Sequence, residues 1–401
     1  MDAWFLTNKV ILILTPQAWG NMLLAKHHYA IELAKQGNEV YFLNPPDNHN
    51  WSLSGERIQI KAFPGQSNLF IIDQQLYFPY NFKFYSRKLY NILIKKQIRD
   101  ILHLISKPVD LIWSFDLGNL FPLSFFDKKL FKIFHPVDEP VNRDALLAAN
   151  GGDILFSVTR EIIDQYKGFG IPSFFINHGL AEEFYLKNAE QKNLNQQLNV
   201  GLSGNFLRLD MDRKILLQII ESNPEALFHF YGIHSFGDSN IGAAKDTETK
   251  LFISYLQGLK NVKLHGVLKT TDLALAINQM DALLICYDIP LDQSKGTNYH
   301  KVMEYLSTGK VIISNNITTY REYPELIRMT ESRENNEKLP DLFRETIKNL
   351  DKWNSPELEN KRMAFALHNT YREQLVRIES CISEILKENS NNDHKNLISS
   401  S

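Results

Sequence analysis

The chain has 401 residues, a length that suggests two domains or more, and 44% of them are apolar, enough for large cores. Its 44 basic and 46 acidic side chains leave a net charge of −2, so no global basic field is directed at nucleic acid. Two cysteines, Cys286 and Cys381, lack metal-ligand spacing and fit a reducing compartment, and no run approaches the roughly 18 apolar residues of a membrane span.

The first predicted strand, KVILILT (9–15), is too short and too polar-flanked for a signal sequence. A loop, PQAWGN, leads into a helix over about 22–36 that Gly37 caps, and EVYFLN (38–43) is the next strand. Strand–loop–helix–strand is the opening of a parallel α/β sheet. Strands follow at 58–63 and 69–72, and a helical pattern covers 84–106. VDLIWSF (109–115), FKIFHPV (131–137) and DILFSVT (153–159) are short apolar runs suited to a sheet covered on both faces, and SFFINHG (173–179) ends this half. Residues 183–197 are polar and read as a linker. A second series then begins with LNVGLSGN (198–205), a helix from Asp212 to Ser222, and strands ALFHFYG (226–232), VKLHG (262–266), DALLICY (281–287) and KVIISN (310–315). The pattern predicts two open α/β sheets. A last helical pattern covers 357–387, and the tail from 388 to 401 has the composition of a disordered segment.

Ligands of open parallel sheets lie at the carboxyl ends of the strands. There the sequence places Gly20; His135 with Asp138; Gly204 and Asn205; Gly266; and a polar loop that enters NYHKVMEYLSTGKVIIS at Asn298. A helix starting near Asn298 sets His300, Lys301 and Glu304 on one face of its first turn. Its free N–H groups with Lys301 suit a phosphate, and the Glu304 carboxylate suits two ribose hydroxyls, so the set suggests a nucleotide. An ordinary Lys–Glu pair on a solvated helix face is the other reading of the same spacing.

HKVMEYLSTGKVIIS resembles the donor-site signature of GT-B glycosyltransferases of the family 4 type, such as those that build bacterial polysaccharide and teichuronic acid. Asn177-His178-Gly179-Leu180, the block VKLHGVLKTTDLALAINQMDALLICY and LAKQGNEVYFLNPP are similar to further segments of that family, in the same order. The resemblance implies two Rossmann-like domains with parallel sheets facing across a cleft. The first, 1–180, is the acceptor domain, and a helix from about 368 to 387 returns to it. The second, 181–367, is the donor domain. The implied reaction moves a sugar from a nucleotide-diphosphate sugar to a hydroxyl of a glycan or lipid-linked acceptor, with retention and without a metal or any cofactor besides the co-substrate. Gly20, Gly204, Asn205, Arg208, Gly266, Val267, Asn298, His300, Lys301 and Glu304 would hold the donor. His135, Asp138 and Lys301 would be the catalytic groups.

Two departures qualify this. The signature carries two Glu seven residues apart; Glu304 fits the second, while the first falls on Gly296, with Asn298 and Asp292 both available to replace it. The Gly-Arg pair that binds the diphosphate is replaced by Gly204-Asn205-Phe206-Leu207-Arg208, with Arg208 as the shifted cation. A sugar-nucleotide epimerase and a non-catalytic nucleotide-sugar-binding subunit therefore remain alternatives. His27 and His28 open the first helix and are assigned nothing beyond acceptor contacts. The segment 77–100 sets six cations against a single acid, Asp100, with aromatics among them. It suits either an anionic membrane surface or a helix with one face in the core and one in water. A cytoplasmic protein, peripheral to the inner face of the plasma membrane, is the expectation.

Overall fold

The computed structural model describes residues 5–20, 23–46, 51–53, 57–185, 197–235, 246–292 and 294–399, with side chains to 388. The chain divides into two compact units, Met1–Asn177 with Tyr371–Ser401, and His178–Thr370. Most of the expected linker, 186–196, lies outside the described residues.

Unit 1 contains β1 (Val10–Leu14), α1 (Ala25–Lys35), β2 (Glu39–Leu43), β3 (Ile58–Phe63), β4 (Gln66–Gln74), α2 (Phe82–Tyr85), α3 (Arg87–Leu104), β5 (Leu111–Ser114), β6 (Phe131–Phe134), α4 (Arg143–Leu147), β7 (Ile154–Ser157), α5 (Arg160–Gln165) and β8 (Ser173–Phe175). Its eight-stranded sheet has the order β3-β4-β2-β1-β5-β6-β7-β8. All neighbours are parallel except β3 and β4, which a two-residue turn at Pro64 and Gly65 forces antiparallel. Every residue of β1, β5 and β7 is buried, as a sheet covered on both faces requires, whereas the edge strand β3 is not.

Unit 2 contains β9 (Asn199–Asn205), α6 (Arg213–Glu221), β10 (Leu227–Ile233), α7 (Thr247–Gly258), β11 (Val262–Gly266), α8 (Thr270–Asn278), β12 (Ala282–Ile285), α9 (Lys301–Ser307), β13 (Val311–Ser314), β14 (Ile327–Met329), α10 (Leu339–Lys348), α11 (Leu350–Trp353) and α12 (Pro356–Leu367). Its six strands are all parallel, in the order β11-β10-β9-β12-β13-β14. Chain order reverses between β9 and β12, and the crevice at their carboxyl ends is the place where such a sheet receives ligands.

The single helix expected over 357–387 is two helices. Residues 368–370 break it: His368 and Asn369 form a turn, the Asn369 carbonyl accepts from Leu180 N at 2.7 Å, and Thr370 bridges to Leu180. A thirteenth helix, α13 (Tyr371–Ser399), then belongs to unit 1, where it packs on α1. The tail expected to be disordered from 388 is helical as far as Ser399. The helix expected over 84–106 is likewise split, with Ser86 extended and capping α3 by accepting from Leu89 N at 3.4 Å.

Candidate functional site

The carboxyl end of β9 is Ser203-Gly204-Asn205. Gly204 has φ of 144° and Gly232, its partner in the register of β10, has φ of 141°. A Cβ on Gly232 would collide with the Gly204 carbonyl, and one on Gly204 would stand 2.8 Å from Lys301 Nζ. Two glycines are thus needed for the backbones and a lysine amine to meet there. Lys301 is buried; its ammonium donates to the Ser203 carbonyl and, at 2.7 Å, to the Tyr287 hydroxyl. Burial works against this charge, but Tyr287, Tyr305 and Glu304 outweigh it and hold the pKa above its ordinary value. Tyr305 fixes the same strand end from the other side, its hydroxyl accepting from Ser203 N at 2.6 Å. Two of the three ammonium donors are used, and the third has no partner among the described residues.

Helix α9 starts at Lys301, later than expected, with His300 as its exposed cap. The expected shared face therefore divides: Lys301 points into the protein, Glu304 is half-buried and His300 faces outward. Glu304 makes no side-chain hydrogen bond among the described residues. Burial raises its carboxyl to about 7; Lys301 opposes this and the nearby Glu183 adds to it. A half-buried carboxyl with no side-chain hydrogen bond has its acceptor capacity unused within the chain.

Asp292 explains the late start. Its carboxylate accepts from Gly296 N at 2.9 Å, from the Tyr299 hydroxyl at 2.7 Å and from the Ser294 hydroxyl at 2.6 Å. This ties 294–299 to Asp292 and commits its carboxylate to them. At Gly296, φ is 63° and a Cβ would meet the Asn316 carbonyl at 2.8 Å. The first Glu of the signature is therefore excluded by backbone geometry at this position. Asn298, the other candidate to replace it, is buried.

Arg208 is folded onto Asp210 through Nε, at 2.8 and 3.0 Å, and through Nη2, and that pairing pushes the guanidinium pKa up. The Asn205 side chain accepts from Leu207 N at 3.0 Å, closing a turn. Gly266 ends β11 with φ of 76°, and Val267 after it is 53% exposed.

In unit 1 the candidate groups lie at the carboxyl ends of β1 and β6. Gly20 is exposed; its neighbours Asn21 and Met22 lie outside the described residues. His135 is fully buried, with ring centres 5.0 Å from Phe115, 5.4 Å from Tyr29 and 6.0 Å from Trp113. Neither ring nitrogen has a hydrogen-bond partner among the described residues, and burial lowers its pKa to about 3, so the imidazole is neutral. Asp138, three residues on, is exposed. His27 accepts from Leu24 N at 2.9 Å, and His28 stacks on Tyr371 with ring centres 4.7 Å apart; burial lowers both to about 4.

Lys26 was not singled out from the sequence. It is buried, donates to the Gln17 side chain, and has a pKa lowered to about 8 by burial against the opposing charge of Asp138. The available signal was its position: a cation in a first helical turn opposes the helix dipole. It also lies on the stripe that buries Tyr29, Ala30 and Leu33. Among the described residues, no group of three or more His, Cys, Asp or Glu is placed to hold a metal.

No protein-family model and no curated protein matches the sequence. Solved structures do. Sucrose-phosphate synthase from Thermosynechococcus elongatus is similar over 95% of this chain and 100% of its own, at 11% identity and a TM-score of 0.68. HepE of Anabaena, solved with UDP and glucose, is similar over 94% and 99%, at 15% identity and a TM-score of 0.65. The lipopolysaccharide outer core galactosyltransferase WaaB is similar over 94% and 99%, at 12% identity and a TM-score of 0.55. At these identities the likeness is one of fold. The chain has the GT-B fold, with two α/β units built on largely parallel sheets of eight and six strands.

Proposed function

We propose that the chain is a glycosyltransferase that moves a sugar from a nucleotide-diphosphate sugar to a hydroxyl of a glycan or lipid-linked acceptor in cell-surface polysaccharide or glycolipid synthesis. The observation that carries this is the placing of a buried, strand-end-bound Lys301 and an unbonded Glu304 carboxylate three residues apart on α9, at the switch point of the unit 2 sheet. Cleaving the sugar–diphosphate bond places negative charge on the leaving phosphate. A buried ammonium fixed to a strand-end carbonyl needs no reorganisation to meet that charge. Helix α9 has seven residues, so its dipole is the smaller contribution. Gly204 and Gly266 let the backbone approach the phosphates closely, with Asn205 and Val267 beside them and Asn298 and His300 leading into α9. Glu304 accepts the ribose hydroxyls. Arg208 would reach phosphate by exchanging Asp210 for it.

In unit 1, Asp138 with Lys26 offers an acceptor hydroxyl both a hydrogen-bond acceptor and a donor. His135 enters as a neutral ring near the same strand ends, and Gly20 as the exposed turn after β1. Retention, independence of metal and attachment at the inner face of a membrane belong to the same reading. HepE has been solved with UDP and with UDP-glucose, which makes uridine nucleotides the first donors to test.

The test is incubation with a panel of nucleotide sugars, with and without acceptors, following released nucleoside diphosphate. Release that depends on an acceptor supports the proposal. A new sugar-nucleotide isomer formed without acceptor would instead identify an epimerase. Gly296 favours a second reading, since its backbone excludes the carboxylate that the family signature places there: a non-catalytic binder, which would shift in melting temperature with nucleoside diphosphate and turn nothing over.

A further inference from the structure

The nucleotide site makes no use of the outer face of α2 and α3. Four large apolar side chains stand in solvent within nine residues: Phe84 at 76% exposure, Tyr85 at 82%, Leu89 at 42% and Ile92 at 65%. The opposite side of α3 is ordinary core, with Tyr90, Ile94, Ile98 and Ile101 buried. Positions 88, 89, 92, 95, 96 and 99 recur at three- and four-residue steps and so share one stripe. That stripe carries Lys88, Lys95, Lys96 and Arg99, all exposed.

The neighbouring cations are already committed. Lys83 and Arg87 pair with Asp144, and Lys96 with Asp100 at 2.8 Å. Lys95 is different: it lies over the Phe125 ring at 4.7 Å, a contact that leaves its charge unneutralised, and it is exposed. Lys88 and Arg99 have no carboxylate partner among the described residues. An apolar patch of this kind on a soluble surface marks a contact, and its charge is of one sign. A second copy docking the same face by a two-fold axis would bring Lys88, Lys95 and Arg99 against their own counterparts. An anionic lipid surface supplies what the face lacks, a wet apolar layer for the rings and negative headgroups for the cations. Among the described residues no helix is long and apolar enough to cross a membrane, so contact here would be interfacial.

We propose that this face docks the protein on an anionic bilayer, with Phe84, Tyr85, Leu89 and Ile92 entering the headgroup boundary and Lys88, Lys95 and Arg99 facing the lipid phosphates. The proposal deepens the reading of a lipid-linked acceptor, and its test reads vesicle binding independently of turnover.

The full chain is sedimented with phosphatidylcholine vesicles, with and without phosphatidylglycerol. Binding is expected only to the anionic vesicles and should weaken with added salt. The combined Phe84→Ser, Tyr85→Ser, Leu89→Ser and Ile92→Ser protein should lose most of it. The Lys88→Gln, Lys95→Gln and Arg99→Gln protein should lose about fivefold per cation removed. Because both sets are exposed, unchanged circular dichroism checks that each variant is folded. Equal binding to neutral and anionic vesicles, no binding by the wild type, or variants that bind like the wild type would overturn the proposal. So would a change in oligomeric state on substitution with vesicle binding intact, which would make the face a self-association surface. Loss of vesicle binding with nucleotide release from a soluble acceptor unchanged would leave the transferase reading untouched; absent turnover with lipid binding intact would do the reverse.

Discussion

A carboxyl held near pKa 7 in the folded chain, against an ordinary 4.5, binds its proton more tightly folded than unfolded. Its contribution to stability is complete below pH 4.5 and is lost as pH rises through 7, so ionising Glu304 comes at a cost to the fold. A ligand that needs the ionised form offsets that cost. Binding of a nucleoside diphosphate should therefore tighten as pH rises from about 6 to about 8, with protons released on binding. Glu304→Gln should remove the part of the pH dependence that exceeds the titration of the ligand's own terminal phosphate, and weaken affinity by roughly 1–3 kcal/mol. Calorimetric titration across that range checks both, and an unchanged dissociation constant would remove Glu304 from the site. Lys301 makes the complementary case. If its charge acts mainly on the leaving phosphate, Lys301→Met should lower kcat by roughly 100- to 1000-fold, with the donor KM changed far less; equal turnover in mutant and wild type would end that role. At this scale the sequence was informative where chemistry is local. Lys301 and Glu304 stand three apart in one segment. Tyr287, Tyr305 and Gln17 were not visible, since each matters through a partner on another segment.

Elements decide how those side chains are held. The seven-residue α9 is fixed at its start by the Asp292 loop. At its end, Arg362 on α12, almost fully buried, donates to the Gly309 carbonyl at 2.9 Å and to the Trp353 carbonyl at 2.8 Å. The places of the strands along the chain, their alternation with helices and the turn at Gly309 followed from apolar runs and glycines; the order of the strands within each sheet did not. The position of the helix start did not, because an Asp292 side chain bonding to Gly296 and Tyr299 overrides the periodicity of 298–304. The break at 368–370 was hidden for the same reason: the Asn369 carbonyl is taken by Leu180, far away in sequence. Gly296 is the point where the loop can be tested. Gly296→Ala places a Cβ against the Asn316 carbonyl at a positive φ and should cost about 1–3 kcal/mol in unit 2 stability. Denaturant titration of a 178–370 fragment, in which Trp353 is the one tryptophan, reads this by fluorescence. A variant as stable as the wild type would mean that the loop relaxes freely, and that the absence of a carboxylate there is not a geometric necessity.

For the whole molecule, the order of segments along the chain predicts an asymmetry in folding. Unit 2 is continuous, about 190 residues, a size at which a domain buries roughly 70% of the surface its unfolded chain exposes. Its core draws on β9, β10, β12, β13, α6 and α10, all within that span. Unit 1 is discontinuous, and what α13 brings to it is specific. The Glu379 carboxylate accepts from Phe5 N and, at 2.8 Å, from Leu6 N, so the last helix holds the first residues of the chain. Tyr371 packs against His28 and, with ring centres 5.1 Å apart, against Tyr29, while Ile378 and Ile382 are buried. Removing α13 strips apolar cover from α1 and leaves the N–H groups of Phe5 and Leu6 without their acceptor, two named routes to large destabilisation. A fragment spanning 178–370 should therefore melt cooperatively, with native circular dichroism. It should also gain melting temperature from a nucleoside diphosphate, since Lys301, Glu304 and the β9 strand end all lie inside it. A fragment spanning 1–177 should show no cooperative transition until a peptide of 371–399 is added. If 1–177 alone melted as it does in the full chain, α13 would be an accessory to a unit that is already complete, and the return of the chain at Tyr371 would need a reason other than stability.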